Sequence, residues 1–384
     1  MTAHHTRAHA PWSASSTAAN WACPGRLPLV DVLDLPDKES EAAAWGTACH
    51  EVSEKTLQSL ACDAGAFLGR KIKTKEHEIE VDDEMVETAQ MYVDYVRSRV
   101  PANGRLMIEQ RFDLALLDPP YESGGTADAV IWRPDDNELE VVDLKGGRGV
   151  VVEAKGNPQL RTYALGALLA SNDLGAKRIR VTIVQPRAGH KDGRIRSESF
   201  HVADLVEWTA NLLAAMRRTK EAEAVMIEMP RAEWATRYLS AGSHCKFCPA
   251  AAACPALEQQ ALDAAGVWFD DQDRPQIANA PDTLSPAELA KRLDAADMIE
   301  EWISAVRSFA HAQVENGVEI PSYGLVEKVG RRSWTCSDDE KVARDLVAVA
   351  GLTFDQVYDR KLRSPAQIEK LGKETKQKIA NMWH

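Results

Sequence analysis

The stretch from Thr126 to Tyr163 decides the fold. It holds three phrases, Thr126-Ala-Asp-Ala-Val-Ile-Trp132, Leu139-Glu-Val-Val-Asp-Leu-Lys145 and Asn157-Pro-Gln-Leu-Arg-Thr-Tyr163. The first two are short, apolar and β-branched, as strands require. The segment between them, Arg133-Pro-Asp-Asp-Asn137, is a turn-forming cluster that fits a hairpin. Gly146-Gly147 ends the second strand, and Asn157-Pro158 supplies an N-cap with Pro at the first helical position, opening QLRTYALGALLAS. Upstream, RLMIEQRFDLALL (105–117) reads as a strand; downstream, IRVTIVQ (179–185) reads as another. Residues 39–100 read as helices, with Ser40 and Asp82 as starts. The order helix, strand, strand, strand, helix, strand predicts an α/β fold with a mixed sheet (α+β in its segregation) at about 105–200.

Within these strands sit charges that an apolar strand does not need. Asp128 follows Gly124-Gly125-Thr126-Ala127, Asp143 lies near the end of the next strand, and Lys145 is two positions further on. Residues i and i+2 of a strand share a face, so Asp143 and Lys145 project together. If the two strands pair, Asp128 approaches Asp143. For a lone Asp the ordinary outcome is a solvated edge charge. Here the flanking residues are apolar, and a buried carboxylate is costly without a metal or partner. Two carboxylates and an ammonium suit a hard divalent cation beside a water nucleophile. Gln159 and Tyr163, four apart on a helix, share a face.

The net charge of −12 over 384 residues argues against a nucleic-acid partner until its distribution is examined. Residues 31–54 carry seven acidic side chains against Lys38, and 76–87 carry seven against none. The remainder is nearly neutral, with basic stretches at 160–220 and from Arg360 to the end. The acidity is therefore local and does not exclude DNA. No apolar run reaches the ~18 residues of a membrane span, and MTAHHTRAHAPWS has no apolar signal-peptide core, so a cytoplasmic protein without a membrane partner is expected. No Walker A motif is present.

The seven cysteines are odd in number and scattered, which argues against a disulfide framework. Three cluster as Cys245-x2-Cys248-x5-Cys254, a spacing that points to a metal or cluster site lacking one ligand. The fourth is Cys23, in Ala-Cys-Pro, or locally His244. Cys49, Cys62 and Cys336 read as small apolar residues. Spacing alone leaves iron–sulfur and zinc both open.

GxxD, DxK and QxxxY, in that order and at this spacing, resemble the RecB-like branch of the PD-(D/E)XK nucleases. The resemblance covers 12–258 and implies a restriction-endonuclease-like core with flanking helices. It also implies an Mg²⁺- or Mn²⁺-dependent hydrolase of DNA phosphodiesters. Asp128 and Asp143 would then ligate metal with the backbone carbonyl of Leu144, Lys145 would be the catalytic lysine, and Gln159 and Tyr163 would organise the site. The family's helical Gly-xxx-His motif is matched by Gly46-Thr-Ala-Cys-His50, making His50 a further ligand. Its glutamate before GxxD is matched by Glu109, with Glu122 as the competitor; Ala127 replaces the Pro of the family's name.

Relatives of the AddB and CRISPR-associated type carry one Cys before the core and Cys-x2-Cys-x5-Cys after it. By that resemblance Cys23, Cys245, Cys248 and Cys254 hold a [4Fe–4S] cluster stapling the domain, with Zn²⁺ as the alternative. NPQL and SPAQIEKL resemble a phage-borne group, so an exonuclease acting on linear DNA ends in a bacterial host is expected, with a recombinase or single-strand annealing protein as a possible partner. The alternative is a non-catalytic nucleic-acid-binding or assembly protein that keeps the fold. Residues 259–384 form a mostly helical C-terminal region of unassigned role, with a helix at 285–315 that starts at Ser285-Pro286.

Overall fold

The computed structural model describes residues 10–33, 39–171, 174–265, 267–269, 275–277, 285–326 and 339–358. Cys336, the SPAQIEKL phrase and the basic C-terminal end lie outside them. Two compact units divide between Val318 and Glu319.

The first unit opens with β1 (Trp12–Ser13), α1 (Thr17–Ala22), α2 (Arg26–Leu33) and α3 (Glu41–Leu57). Next come β2 (Lys71–Lys73), β3 (Glu78–Glu80) and α4 (Asp83–Arg99). Then follow β4 (Arg105–Asp113), β5 (Ser123–Arg133), β6 (Glu138–Leu144), α5 (Pro158–Ala170), β7 (Arg178–Val184) and β8 (Ile195–His201). Helices α6 (Val202–Val225), α7 (Arg231–Tyr238) and α8 (Pro255–Ala265), the short hairpin β9 (Val267–Phe269) and β10 (Pro275–Ile277), and α9 (Pro286–Glu315) complete it. The second unit contains α10 (Asp339–Ala350) and the single turn α11 (Phe354–Val357).

The mixed α/β fold expected from the sequence is the fold observed. β4, β5 and β6 form an antiparallel meander; β7 joins β6 in parallel after the α5 crossover, and β8 pairs antiparallel with β7. The β5–β6 turn closes on Asn137 at φ +48, a left-handed position that Asn tolerates. Asn157 caps α5 as its sequence demands, its side chain accepting from the Leu160 amide at 3.2 Å, with Pro158 at the first position. Ser40 and Asp82 likewise cap α3 and α4 through the amides of Ala43 and Met85.

Three elements depart from the sequence reading. Between α3 and α4 the chain forms the hairpin β2–β3, because Ile72 and Ile79 alternate with charges at period two inside KIKTKEHEIE. β8 is polar on alternate positions and gives no apolar signal. β1 pairs in parallel with the start of β5, Trp12 against Ser123.

That last pairing shapes the molecule. β4 covers one edge of β5 from Gly124 to Trp132. The other edge holds β1 at Ser123–Gly124 and β6 at Ala129–Arg133, leaving residues 125–128 without a strand partner on that side. Gly124 is caught between β1 and β4; a Cβ there would stand 2.6 Å from the Phe112 carbonyl oxygen.

Two apolar clusters sandwich the sheet. Val141, Leu139 and Ile183 pack with Leu160, Ala164 and Leu212 of α5 and α6 on one face. Val142, Leu144 and Ile131 pack with Val52, Met85 and Val93 of α3 and α4 on the other. All seven residues of β6 are buried, Glu138, Glu140 and Asp143 included, so the strand is covered on both faces.

Candidate functional site

Strand register brings the expected carboxylates into one row. Ile108 pairs with Ala129 and Gln110 with Ala127, so Glu109 faces Asp128 across β4–β5. Ala129 pairs with Val142, so Asp128 faces Asp143 just where the β5–β6 ladder ends. The backbone inverts at this row. Ala127 and Phe112 join the α5-side core, whereas Ala129 and Ile108 join the α3-side core, although strict alternation would put 127 with 129 and 108 with 112. Glu109 carries the distortion as a left-handed residue at φ +50 in mid-strand, a conformation costing about 1–2 kcal/mol for a non-glycine.

The inversion lets one row be reached from both faces of the sheet. From α3, His50 places Nδ1 3.3 Å from Asp128 Oδ1. His50, Glu109 and Asp128 each offer a ligand atom within 4.8 Å of the others, a possible metal-binding triad. Asp128 Oδ2 accepts from the Leu144 amide at 2.7 Å, which fixes the carboxylate at the strand end. From the other face, Lys145 Nζ lies 2.9 Å from Asp143 Oδ2 and donates to Gln159 Oε1 at 3.0 Å. Gln159 Nε2 in turn donates to the Tyr163 hydroxyl at 3.0 Å. Every residue expected at the nuclease-like centre is therefore in one neighbourhood. Glu122, the competitor for Glu109, lines the far end of the same cleft.

Electrostatics drives the two aspartates apart. Burial raises both, but around Asp128 the His50 imidazolium, the Leu144 amide and Lys145 outweigh it, and its pKa falls below the carboxylate range. Around Asp143 burial, reinforced by the Asp128 charge, exceeds the pull of Lys145, and its pKa rises. Burial alone would depress His50; the Asp128 carboxylate, supported by Asp143 and Glu109, lifts it instead to about 9. Tyr163 is raised by burial and by both aspartates, so it keeps its proton. A cation bound by His50 at neutral pH would have to displace its proton.

The donors are one imidazole and three carboxylates, of which Asp128 and Asp143 are buried and Glu109 is half-buried. That oxygen-rich set fits a hard divalent cation with some tolerance for nitrogen. The cleft over the row has a volume of about 870 Å³ and runs along the unpartnered edge of β5, past Gly125 and Thr126 to Ser13 and Ser123.

The four expected cluster cysteines line a second, small cavity with Arg26 and His244, although Cys23 and Cys254 are far apart in sequence. The Ser240 amide approaches Cys23 Sγ at 3.5 Å. Burial raises the Cys248 and Cys254 thiols. Among the described residues, the sulfurs do not gather as closely as the His50 triad does. Cys49 is fully buried and pushed up to about 12 by burial, as an inert core residue should be. Cys62 stands in a turn after α3, half-buried.

Sequence reasoning missed the frame beside Lys145. The Arg187 guanidinium lies 3.7 Å from the Trp45 ring, donates to the Gly146 carbonyl at 2.8 Å and shares Glu84 with Arg148. Only structure places these four segments together. Arg196, one of the basic residues of the 160–220 stretch, is buried and donates to the Val152 carbonyl and Gln185.

Fold and site together define a mixed α/β protein with a carboxylate–histidine–lysine centre in a cleft. The chain belongs to the family described as a protein of unknown function, DUF2800, which it matches over residues 9–383. No helix among the described residues is long and apolar enough to cross a membrane.

Proposed function

We propose that the protein is a divalent-metal-dependent DNA nuclease of the RecB-like PD-(D/E)XK type, acting from the ends of linear DNA. The observation that carries this reading is the row Glu109–Asp128–Asp143 across three strands, met by His50 from one helical layer and by Lys145 from the β6 terminus. His50, Glu109, Asp128 and Asp143 would hold Mg²⁺ or Mn²⁺. When bound, the ion supplies polarisation of a phosphoryl oxygen and a water of lowered pKa.

The chain's own groups do the rest. Two of the three N–H bonds of Lys145 are committed to Asp143 and Gln159, which leaves one to orient a water or meet charge developing on the phosphoryl oxygens. Gln159 fixes the ammonium because its amide is itself held by Tyr163. Tyr163, protonated across the accessible range, keeps a donor for the substrate. A cation held between Asp128 and Asp143 would offset the burial and the Asp128 repulsion that raise the Asp143 pKa.

At the second cavity, four soft thiol donors fit a structural metal group. A [4Fe–4S] cluster is favoured on the resemblance of the cysteine spacing, with Zn²⁺ as the alternative. Its role would be to tie Cys23 to the run at 245–254.

End-labelled linear DNA and covalently closed circles, incubated with Mg²⁺ or Mn²⁺, test the reading. Linear DNA should be degraded and circles spared, with Lys145→Ala slower by about 10²–10⁴-fold. Unimpaired degradation by Asp143→Ala would sink the assignment; no degradation in any divalent metal would favour a binding protein that keeps the fold. Protein prepared without oxygen should carry iron, sulfide and visible absorbance, all lost in Cys23→Ser. Stoichiometric zinc without that absorbance would replace the cluster.

A further inference from the structure

The cleft is longer than the carboxylate row requires. At about 870 Å³ it lies near the top of the range of small-molecule sites, ~300–1,000 Å³. Its floor beyond Asp128 is the unpartnered edge of β5, where Gly125 presents no side chain, and it runs on to Gly124 beside β1. Two residues along from the row, Arg111 of β4 faces Thr126 of β5, and both line the cleft. Two strand residues span roughly 6.8 Å, about one step of a polynucleotide backbone.

Arg111 is exposed, and no carboxylate lies within ion-pair distance of its guanidinium among the described residues, although acids crowd this cleft. Of the two nearest the far end, Asp113 turns its carboxylate to the Ala115 amide at 2.9 Å, and Glu122 stands exposed at the rim. Further along the same strand, the Ser123 hydroxyl is buried with no hydrogen-bond partner. A cation and unmet polar capacity on one strip, next to a row of buried carboxylates, call for a ligand that is anionic at intervals.

We propose that Arg111, with Thr126 opposite it, is a subsite for the phosphate next to the reacting one, so that the cleft holds a single strand by two consecutive phosphates. The proposal rests on the nuclease reading for the identity of the reacting phosphate. An Arg–phosphate contact gives geometric grip as well as charge. The subsite would align the strand in the cleft while the carboxylate row acts on the linkage beside it.

The test uses the full chain and short single-stranded deoxyoligonucleotides in which one uncharged methylphosphonate linkage is moved along the strand. Binding is followed by fluorescence anisotropy with Ca²⁺ replacing Mg²⁺. In the wild type, neutralising one linkage should weaken binding about tenfold, as loss of one charge-assisted hydrogen bond predicts. Arg111→Ala should bind the unmodified strand about tenfold more weakly and be indifferent to that same linkage; Arg111→Lys should recover part of the loss. Equal sensitivity of Arg111→Ala and wild type at every linkage overturns the subsite, as does wild-type affinity in Arg111→Ala or no binding of any strand. If that linkage pattern appears but Mg²⁺ and Mn²⁺ support no cleavage, the nuclease reading fails and the subsite stands.

Discussion

Protonation of His50 should make the metal-free protein lose stability as the medium becomes more alkaline. Its imidazolium is held to about 9 in the folded chain against an ordinary 6.5, because the Asp128 carboxylate lies 3.3 Å away. A group whose pKa is raised by folding stabilises fully below its unfolded value, and the contribution drains away as pH passes the folded one. The window is therefore pH 6.5 to about 9. At 1.36 kcal/mol per pH unit, the contribution is about 3 kcal/mol. The assay is urea denaturation in EDTA at several pH values across that window, for wild type and His50→Gln. Wild type should lose about 3 kcal/mol more than the variant over the range. Saturating Mn²⁺ should flatten the trend, because binding expels the same proton and so stabilises more at the alkaline end. Parallel pH profiles for the two proteins in EDTA would refute the His50–Asp128 pairing.

Three further changes probe the frame. Glu109 sits at φ +50, so Glu109→Gly should be more stable than Glu109→Ala by about 1 kcal/mol in thermal or urea unfolding; both lose the carboxylate, and an equal or reversed order would mean the backbone is relaxed there. A Cβ on Gly166 of α5 would stand 1.8 Å from the Phe112 ring, so Gly166→Ala should cost about 3 kcal/mol, with partial rescue by Phe112→Val. A cost below about 1 kcal/mol would show that the ring simply moves aside. Buried Glu140 accepts from Tyr95 and Thr182 at 2.7 and 2.8 Å and pairs with Arg99 at 2.7 Å. Glu140→Ala should destabilise by about 3–5 kcal/mol through the charge it strands, and a near-neutral change would show that Arg99 relaxes to solvent.

What the sequence disclosed, and what it hid, follows from the range of the forces involved. Asp143, Lys145, Gln159 and Tyr163 were legible because i, i+2 on a strand and i, i+4 on a helix are local periodicities. The α5 cap was legible for the same reason. Asp128 against Asp143 needed only the correct hairpin. Glu109 could be placed by order along the chain, but its left-handed backbone and the pleat inversion have no local sequence signal. β1 carries two residues and is a strand only because β5 offers an edge 111 residues away. Arg187, Trp45, Glu84 and Gly146 come from four separate segments, so their meeting is a property of tertiary packing. The alternating Ile72 and Ile79 did signal β2–β3, beneath a density of charge that reads as helical surface.

The pleat inversion at Asp128 also bears on how the molecule matures. The row is completed by His50 from a helix in one apolar cluster and by Gln159 and Tyr163 from a helix in the other. A nascent chain, a proteolytic fragment or a locally opened form that has lost either helical layer retains the aspartates but not the assembled centre. The complete set of groups thus exists only in the finished molecule, so any chemistry it performs is withheld until assembly ends and vanishes as soon as either layer lets go.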